Sequence, residues 1–196
     1  LVQGVIAGGE RALTESIEGA EDKTDEINEI INIKNISSKD IIIGISCSGS
    51  APFVLEFLKL SHEIGATTVL ITFNNIESIK YVDKIIKTYV GPEIISGSTR
   101  MKSGTATKII LNMISSITMI KLNKTFGNYM VDLNVVNEKL KTRAINILKA
   151  LTGINNSEAK TMLKKSKGKV KNAIIMTNLK VSYHRSIDLI SKYNGN

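Results

Sequence analysis

Two loops rich in Gly, Ser and Thr concentrate the side chains best able to do chemistry. The first is Ser46-Cys47-Ser48-Gly49-Ser50, which follows a β-branched run and leads into a helical pattern with Pro52 in its first turn. Small hydroxyl residues and Gly allow backbone N–H groups and the next helix N-terminus to approach an anion. No Gly-Lys-Ser/Thr follows, so this is not a Walker A loop, and the dinucleotide pattern is absent too. The same spacing also fits an ordinary capped turn. The second loop runs from Ser96 through Gly97, Ser98, Thr99, Arg100, Met101, Lys102 and Ser103 to Thr105. Hydroxyls that donate and accept, beside the cations Arg100 and Lys102, suit an anionic sugar. A solvated basic turn would carry the same residues. Glu93, just after Gly91-Pro92, is placed to cap this loop or to touch a ligand.

Other reactive residue types are less informative. Glu10, Glu15, Glu18, Glu21 and Asp22 crowd the segment after Gly8-Gly9, and spacing alone does not choose a catalytic acid among them. His62 and His184 have no metal-ligand partners at useful spacing and read as helix-surface residues. Cys47 sits inside the first loop with no His near it in sequence, which suits a small buried residue better than a catalytic thiol.

The elements that must position these loops alternate. Strand-like runs are expected at Leu1–Ala7, Asp40–Ser46, Thr67–Phe73 and Ile85–Val90, the second and third as buried strands. Helical periodicities lie between them: Ala12, Ile17 and Ala20; Ile27, Ile30 and Ile31; and Val54, Leu55, Leu58 and Ile64, ending at Gly65. Alternation of this kind predicts an α/β fold built on a parallel sheet. A long apolar helix is expected from Thr105 to about Lys121, and another runs through Leu148. Three short helices should follow: Glu158–Ser166 capped by Ser157, Val170–Leu179, and Tyr183–Lys192 capped by Ser182. The expected division is residues 1–150 and a small helical domain at 151–196.

Composition narrows the classes. With 196 residues, 14 Gly and only 2 Pro, collagen, mucin-like stalks and long disorder are excluded. The single Cys excludes an internal disulfide framework and points to a reducing compartment. The apolar stretch Ile109–Ile120 contains Asn112, Ser115, Ser116 and Thr118, too short and polar to span a bilayer. The net charge of +8 is uneven. Residues 139–196 hold 13 Lys/Arg and 2 acids, whereas residues 1–138 carry a net of −3. A basic surface of that size could attract nucleic acid or anionic membrane. With only Tyr183 and Tyr193 available to stack bases, a Lys-rich solvated helix surface is the simpler reading.

The run GPEIISGSTRMKSGTATKIILNMIS resembles the signature segment of the N-acetylmuramic acid 6-phosphate etherases and their relatives, which include glucokinase regulatory protein. VQGVIAGGERAL, IEGAED, DIIIGISCSGSAPFV and FGNYMVDLNVVNEKL also match, in the family's order. The resemblance implies a sugar-isomerase-type (SIS) domain, with a parallel sheet between helices, and a small ubiquitin-associated-like (UBA-like) domain at the C-terminal end. It implies an etherase, a carbon–oxygen lyase. The expected products from N-acetylmuramic acid 6-phosphate are N-acetylglucosamine 6-phosphate and D-lactate, through elimination and then hydration. It further implies no metal or organic cofactor, a cytoplasmic homodimer, and no membrane or nucleic-acid partner. Carried over by motif, Glu21 becomes the leading catalytic carboxylate. Ser48, Gly49 and Ser50 form one phosphosugar loop, and Ser98, Thr99, Arg100 and Lys102 contribute to the other.

Two departures from the family pattern follow. Its loop usually reads Ser-Gly-Arg-Thr-Pro, against Ser48-Gly49-Ser50-Ala51-Pro52 here, so a cation and a hydroxyl are replaced near the expected site. This leaves a non-catalytic phosphosugar-binding regulator as the alternative. The family also has more chain before the position of Leu1, carrying a first strand, a further phosphosugar loop and a second catalytic glutamate. On the resemblance, these 196 residues are therefore expected to be an inactive fragment. Sheet strands would lack partners, at about 1–3 kcal/mol for each unsatisfied buried backbone group.

Overall fold

The computed structural model describes residues 2–195, and the chain divides into two compact units, 1–111 and 112–196. The first unit is built on a three-stranded parallel sheet: β1 (Ile41–Ile45), β2 (Thr67–Thr72) and β3 (Lys84–Lys87), in the order β1-β2-β3. Ile41 pairs with Thr67 and Ile45 with Ile71, while Val69 pairs with Lys84 and Thr72 with Lys87. β-Branched residues dominate β1 and β2, as pleated strands favour. The central strand is buried through Leu70, Ile71 and Thr72.

The helix α2 (Pro52–Glu63) crosses from β1 to β2 and contacts both strands. Its close approach depends on Gly44. A Cβ there would stand 2.7 Å from Val54 Cγ1 and 2.8 Å from Leu58 Cδ1. A short helix, α1 (Ile27–Ile33), buries Ile27 and Ile31 against Phe53 and Phe57 of α2. Periodicity at Ile27, Ile30 and Ile31 therefore yields the expected helix.

Several sequence expectations are corrected in this unit. Residues 2–7 form no strand; Val2, Val5 and Ile6 are exposed, and Leu1 lies outside the described residues. β-Branched composition makes a strand only where a neighbour supplies the ladder. The helix expected around Ala12–Ala20 is replaced by short 3-10 turns at Glu10–Leu13 and Ala20–Asp22. That segment buries only Ala20, and its crowded acids repel one another along any helix face. β1, expected to be fully buried, leaves Ile41 and Ile45 exposed at 65% and 38%, because β2 is its only partner among the described residues.

The long helix α3 (Lys102–Lys121) starts three residues earlier than the sequence pattern suggests. In the second unit, a hairpin of β4 (Thr125–Phe126) and β5 (Tyr129–Met130) precedes α4 (Glu138–Thr152). Three helices follow: α5 (Asn156–Lys165), α6 (Val170–Leu179) and α7 (Tyr183–Lys192). Ala144, Ile145 and Leu148 of α4 join Ala159, Leu163, Val170, Ala173 and Ile174 in one buried cluster. Residue 150, the expected domain boundary, thus falls within α4, which is packed with α5 and α6.

Two of the three C-terminal helices, α5 and α7, begin at a side-chain cap, whereas α6 has none. Asn155, not Ser157, caps α5. Its side chain accepts from Glu158 N at 3.0 Å, and Glu158 accepts from Asn155 N at 2.9 Å, a reciprocal capping box. Ser182 caps α7 by accepting from Arg185 N at 3.2 Å. Among the described residues no helix is long and apolar enough to cross a membrane.

Candidate functional site

The first loop emerges from the C-terminal end of β1 and closes on its own hydroxyls. Gly49 N and Ala51 N donate to Ser46 Oγ at 3.1 and 3.3 Å. Ser50 N and Ser50 Oγ donate to Ser48 Oγ at 3.2 and 2.9 Å. Three consecutive backbone amides thus converge on two serine oxygens, a ring of donors directed at small electronegative atoms. The first turn of α2 follows, with Pro52 at its start and no side chain capping it from Ala51. The amides of Gly49, Ser50 and Ala51 are taken by the two serine oxygens, so it is the uncapped N-terminus of α2 beside them that is electrostatically suited to an anion.

β2 holds this loop in place. The carbonyl of Cys47 accepts from Phe73 N at 3.1 Å and from Thr72 Oγ1 at 3.2 Å. Gly49 adopts φ 78°, and a Cβ there would lie 3.0 Å from both Ile76 Cγ2 and Thr72 Oγ1. The Ser-Gly pairing is therefore set by β2 and the turn after it. Ser46, named in the sequence as the loop's first residue but given no role there, and Thr72, not singled out, carry the loop's geometry. Ser46 was signalled only by its position at the strand end, two and four residues before Ser48 and Ser50.

A cavity of about 680 Å³ lies over β1 and the start of α2. Glu21, Ser46, Ser48, Gly97 and Thr99 all line it. Three of the residues selected from sequence, Glu21, Ser48 and Thr99, therefore share one chamber. Gly49, Ser50, Ser98, Arg100 and Lys102 are not part of its lining. Glu21 is exposed on the 3-10 turn Ala20–Asp22, which packs against α2.

The second loop is organised by an internal carboxylate. Glu93 Oε1 accepts from Ser103 N and Glu93 Oε2 from Lys102 N, each at 3.0 Å. Lys102 Nζ donates to the carbonyl of Pro92 at 2.6 Å. The N–H groups of Ser103 and Lys102 hold the Glu93 carboxyl below its usual range. Of the two roles open to Glu93 in the sequence, the structure has it capping. Lys102, selected for its charge, spends its ammonium on that same neck, while Arg100 is exposed.

Elsewhere, Asp83 accepts from Thr68 N at 2.7 Å and from Thr68 Oγ1 at 3.0 Å, which lowers its pKa. His62 Nδ1 lies 3.9 Å from Asp83 Oδ1. Among the described residues no three His, Cys, Asp or Glu side chains gather as metal ligands.

Comparison with known proteins agrees with the motifs. Residues 1–62 match the family model of the glucokinase regulatory protein N-terminal SIS domain. Residues 127–187 match that of the C-terminal lid domain of the same protein. Over all 196 residues the chain is 42% identical to N-acetylmuramic acid 6-phosphate etherase of Actinobacillus pleuropneumoniae, covering 64% of that protein. It is 46% identical to the protein of that name from Clostridium beijerinckii, again over 64% of its length. The corresponding figures for Geobacillus thermodenitrificans are 39% and 66%. The chain thus spans just under two thirds of the length of the curated relatives it matches. With its own full length aligned and its motifs in order, the chain is similar throughout to part of the N-acetylmuramic acid 6-phosphate etherases.

Proposed function

We propose that this chain is the phosphosugar-binding part of a carbon–oxygen lyase that cleaves the D-lactyl ether of N-acetylmuramic acid 6-phosphate. The observation that carries the reading is the shared cavity of Glu21, Ser48 and Thr99, in a chain aligned end to end with etherases. The phosphoryl group is held at the first turn of α2, which has no side-chain cap, beside the hydroxyls of the Ser46–Ser50 loop. Chemistry proceeds on the open-chain aldehyde. A carboxylate removes the C2 proton, the electron pair forms the C2–C3 double bond, and the lactate oxygen leaves C3 with a proton. Water then adds at C3. Glu21 is one of the two acid/base groups this needs. No metal or organic cofactor takes part. The working enzyme is a cytoplasmic homodimer, and α5–α7 form its UBA-like helical domain.

A second reading is favoured by one observation. Both matching family models describe a regulatory protein, and Ser50-Ala51 replaces the Arg-Thr usual in the family's loop. A non-catalytic phosphosugar sensor would bind the sugar and release no lactate. The experiment is to assay the full gene product for D-lactate release from N-acetylmuramic acid 6-phosphate, with Glu21→Gln as control. Lactate that vanishes in the variant supports the lyase. Tight phosphosugar binding without lactate supports the sensor.

A further inference from the structure

A helix that begins without a capping side chain normally leaves its first N–H groups to water. The residue before α3 is Met101, whose carbonyl accepts from Thr105 N at 2.9 Å but whose side chain offers no oxygen. The first two N–H groups of α3 are nevertheless satisfied, by a carboxylate nine and ten residues upstream. Lys102 Nζ ties the same neck to Pro92. The chain between these points, Ile94 to Met101, leaves the neck and returns to it, and it carries Gly97 and Thr99 to the cavity wall.

We infer that Glu93 is a positioning residue, an internal anion that fills the N-terminus of α3 and closes the Ile94–Met101 loop at its base. Two consequences follow. Thr99 is held at the cavity by a charge-assisted clamp rather than by its own contacts. The end of α3 is also unavailable to a ligand phosphoryl group, since a second anion would have to displace Glu93 against like-charge repulsion. A sugar phosphate must then use the uncapped first turn of α2. The sequence suggested that both loops offer anion sites; the clamp leaves one. This inference rests on the reading of the cavity as a phosphosugar site, and the experiment separates the two.

The test compares the unsubstituted full gene product with its Glu93→Gln, Glu93→Asp and double Glu93→Gln/Met101→Asp variants. Amide hydrogen exchange at Lys102 and Ser103 is followed alongside titration with N-acetylglucosamine 6-phosphate. Glu93→Gln loses the charge and one acceptor. It should speed exchange at both amides and weaken sugar-phosphate binding, each by about tenfold. Glu93→Asp, shorter but still charged, should recover part of both. Met101→Asp supplies a local cap and should restore amide protection in the Glu93→Gln background without restoring binding, because it does not close the loop. Restored binding in the double variant would reduce Glu93 to a helix cap and overturn the inference. So would unchanged exchange in Glu93→Gln. If the unsubstituted full gene product binds no sugar phosphate, the phosphosugar reading fails. The clamp is then judged by exchange at Ser98, whose N donates to the Ile95 carbonyl at 3.1 Å. That exchange must also accelerate in both the Glu93→Gln and double variants.

Discussion

Replacing Gly49 by Ala tests how β2 shapes the candidate phosphosugar loop. The substitution meets two separate penalties. At φ 78° an L-residue occupies left-handed space, which costs roughly 1–2 kcal/mol. The new Cβ also arrives 3.0 Å from Ile76 Cγ2 and from Thr72 Oγ1. Thr72 cannot yield cheaply. It is fully buried, donates to the Cys47 carbonyl and accepts from Asn74 N at 3.3 Å. Overpacking of this kind adds about 1–3 kcal/mol. Gly97 supplies the internal comparison, since it has φ 82° but nothing within 4 Å of its would-be Cβ. Gly97→Ala should therefore cost only the strain, about 1–2 kcal/mol. Urea unfolding followed by hydrogen exchange in the first unit reads both values. Titration with N-acetylglucosamine 6-phosphate should show weaker binding for Gly49→Ala. Equal destabilisation by the two substitutions would refute the role given to Thr72 and Ile76.

Two further outcomes follow from the packing and the charges. Leu148→Ala removes a fully buried side chain from the α4–α5–α6 cluster and should cost about 2–5 kcal/mol, seen as faster exchange in residues 138–179 and not in β2. Asp83 has a depressed pKa because it accepts from the backbone N–H and then the hydroxyl of Thr68. Its contribution is complete above the unfolded value of about 4 and is lost as pH falls through the lower folded value. Acid unfolding curves of the chain and of Asp83→Asn should therefore diverge above that range and converge below it.

The parts of the fold that depend on local chemistry were legible. Ile41–Ile45 and Thr67–Thr72 carry enough β-branched residues to declare strands, and the turn between β1 and α2 marked the Ser46–Ser50 loop. The Asn155-x-x-Glu158 capping box was also present in the sequence, although Ser157 drew the assignment by its proximity to the helix. What could not be read was non-local. The segment Val2–Ile6 resembles β1 in composition, and only the presence of a neighbouring strand decides which of them pairs. The start of α3 at Lys102 depends on a carboxylate nine residues away, so no local cap announces it. The candidate site divides in the same way. Residue types pointed to Glu21, Ser48 and Thr99, but the engagement of Lys102 with Pro92 required the folded loop.

The central claim is that a lactyl ether is cleaved by elimination and rehydration of the sugar. It is tested most directly by incubating the full gene product with N-acetylmuramic acid 6-phosphate in ¹⁸O-labelled water and analysing both products by mass spectrometry. Elimination breaks the bond between the sugar carbon and the ether oxygen, so lactate keeps that oxygen and water supplies the new sugar hydroxyl. The account predicts labelled N-acetylglucosamine 6-phosphate and D-lactate with an unlabelled hydroxyl. Label in the lactate hydroxyl, or no lactate at all, would contradict it.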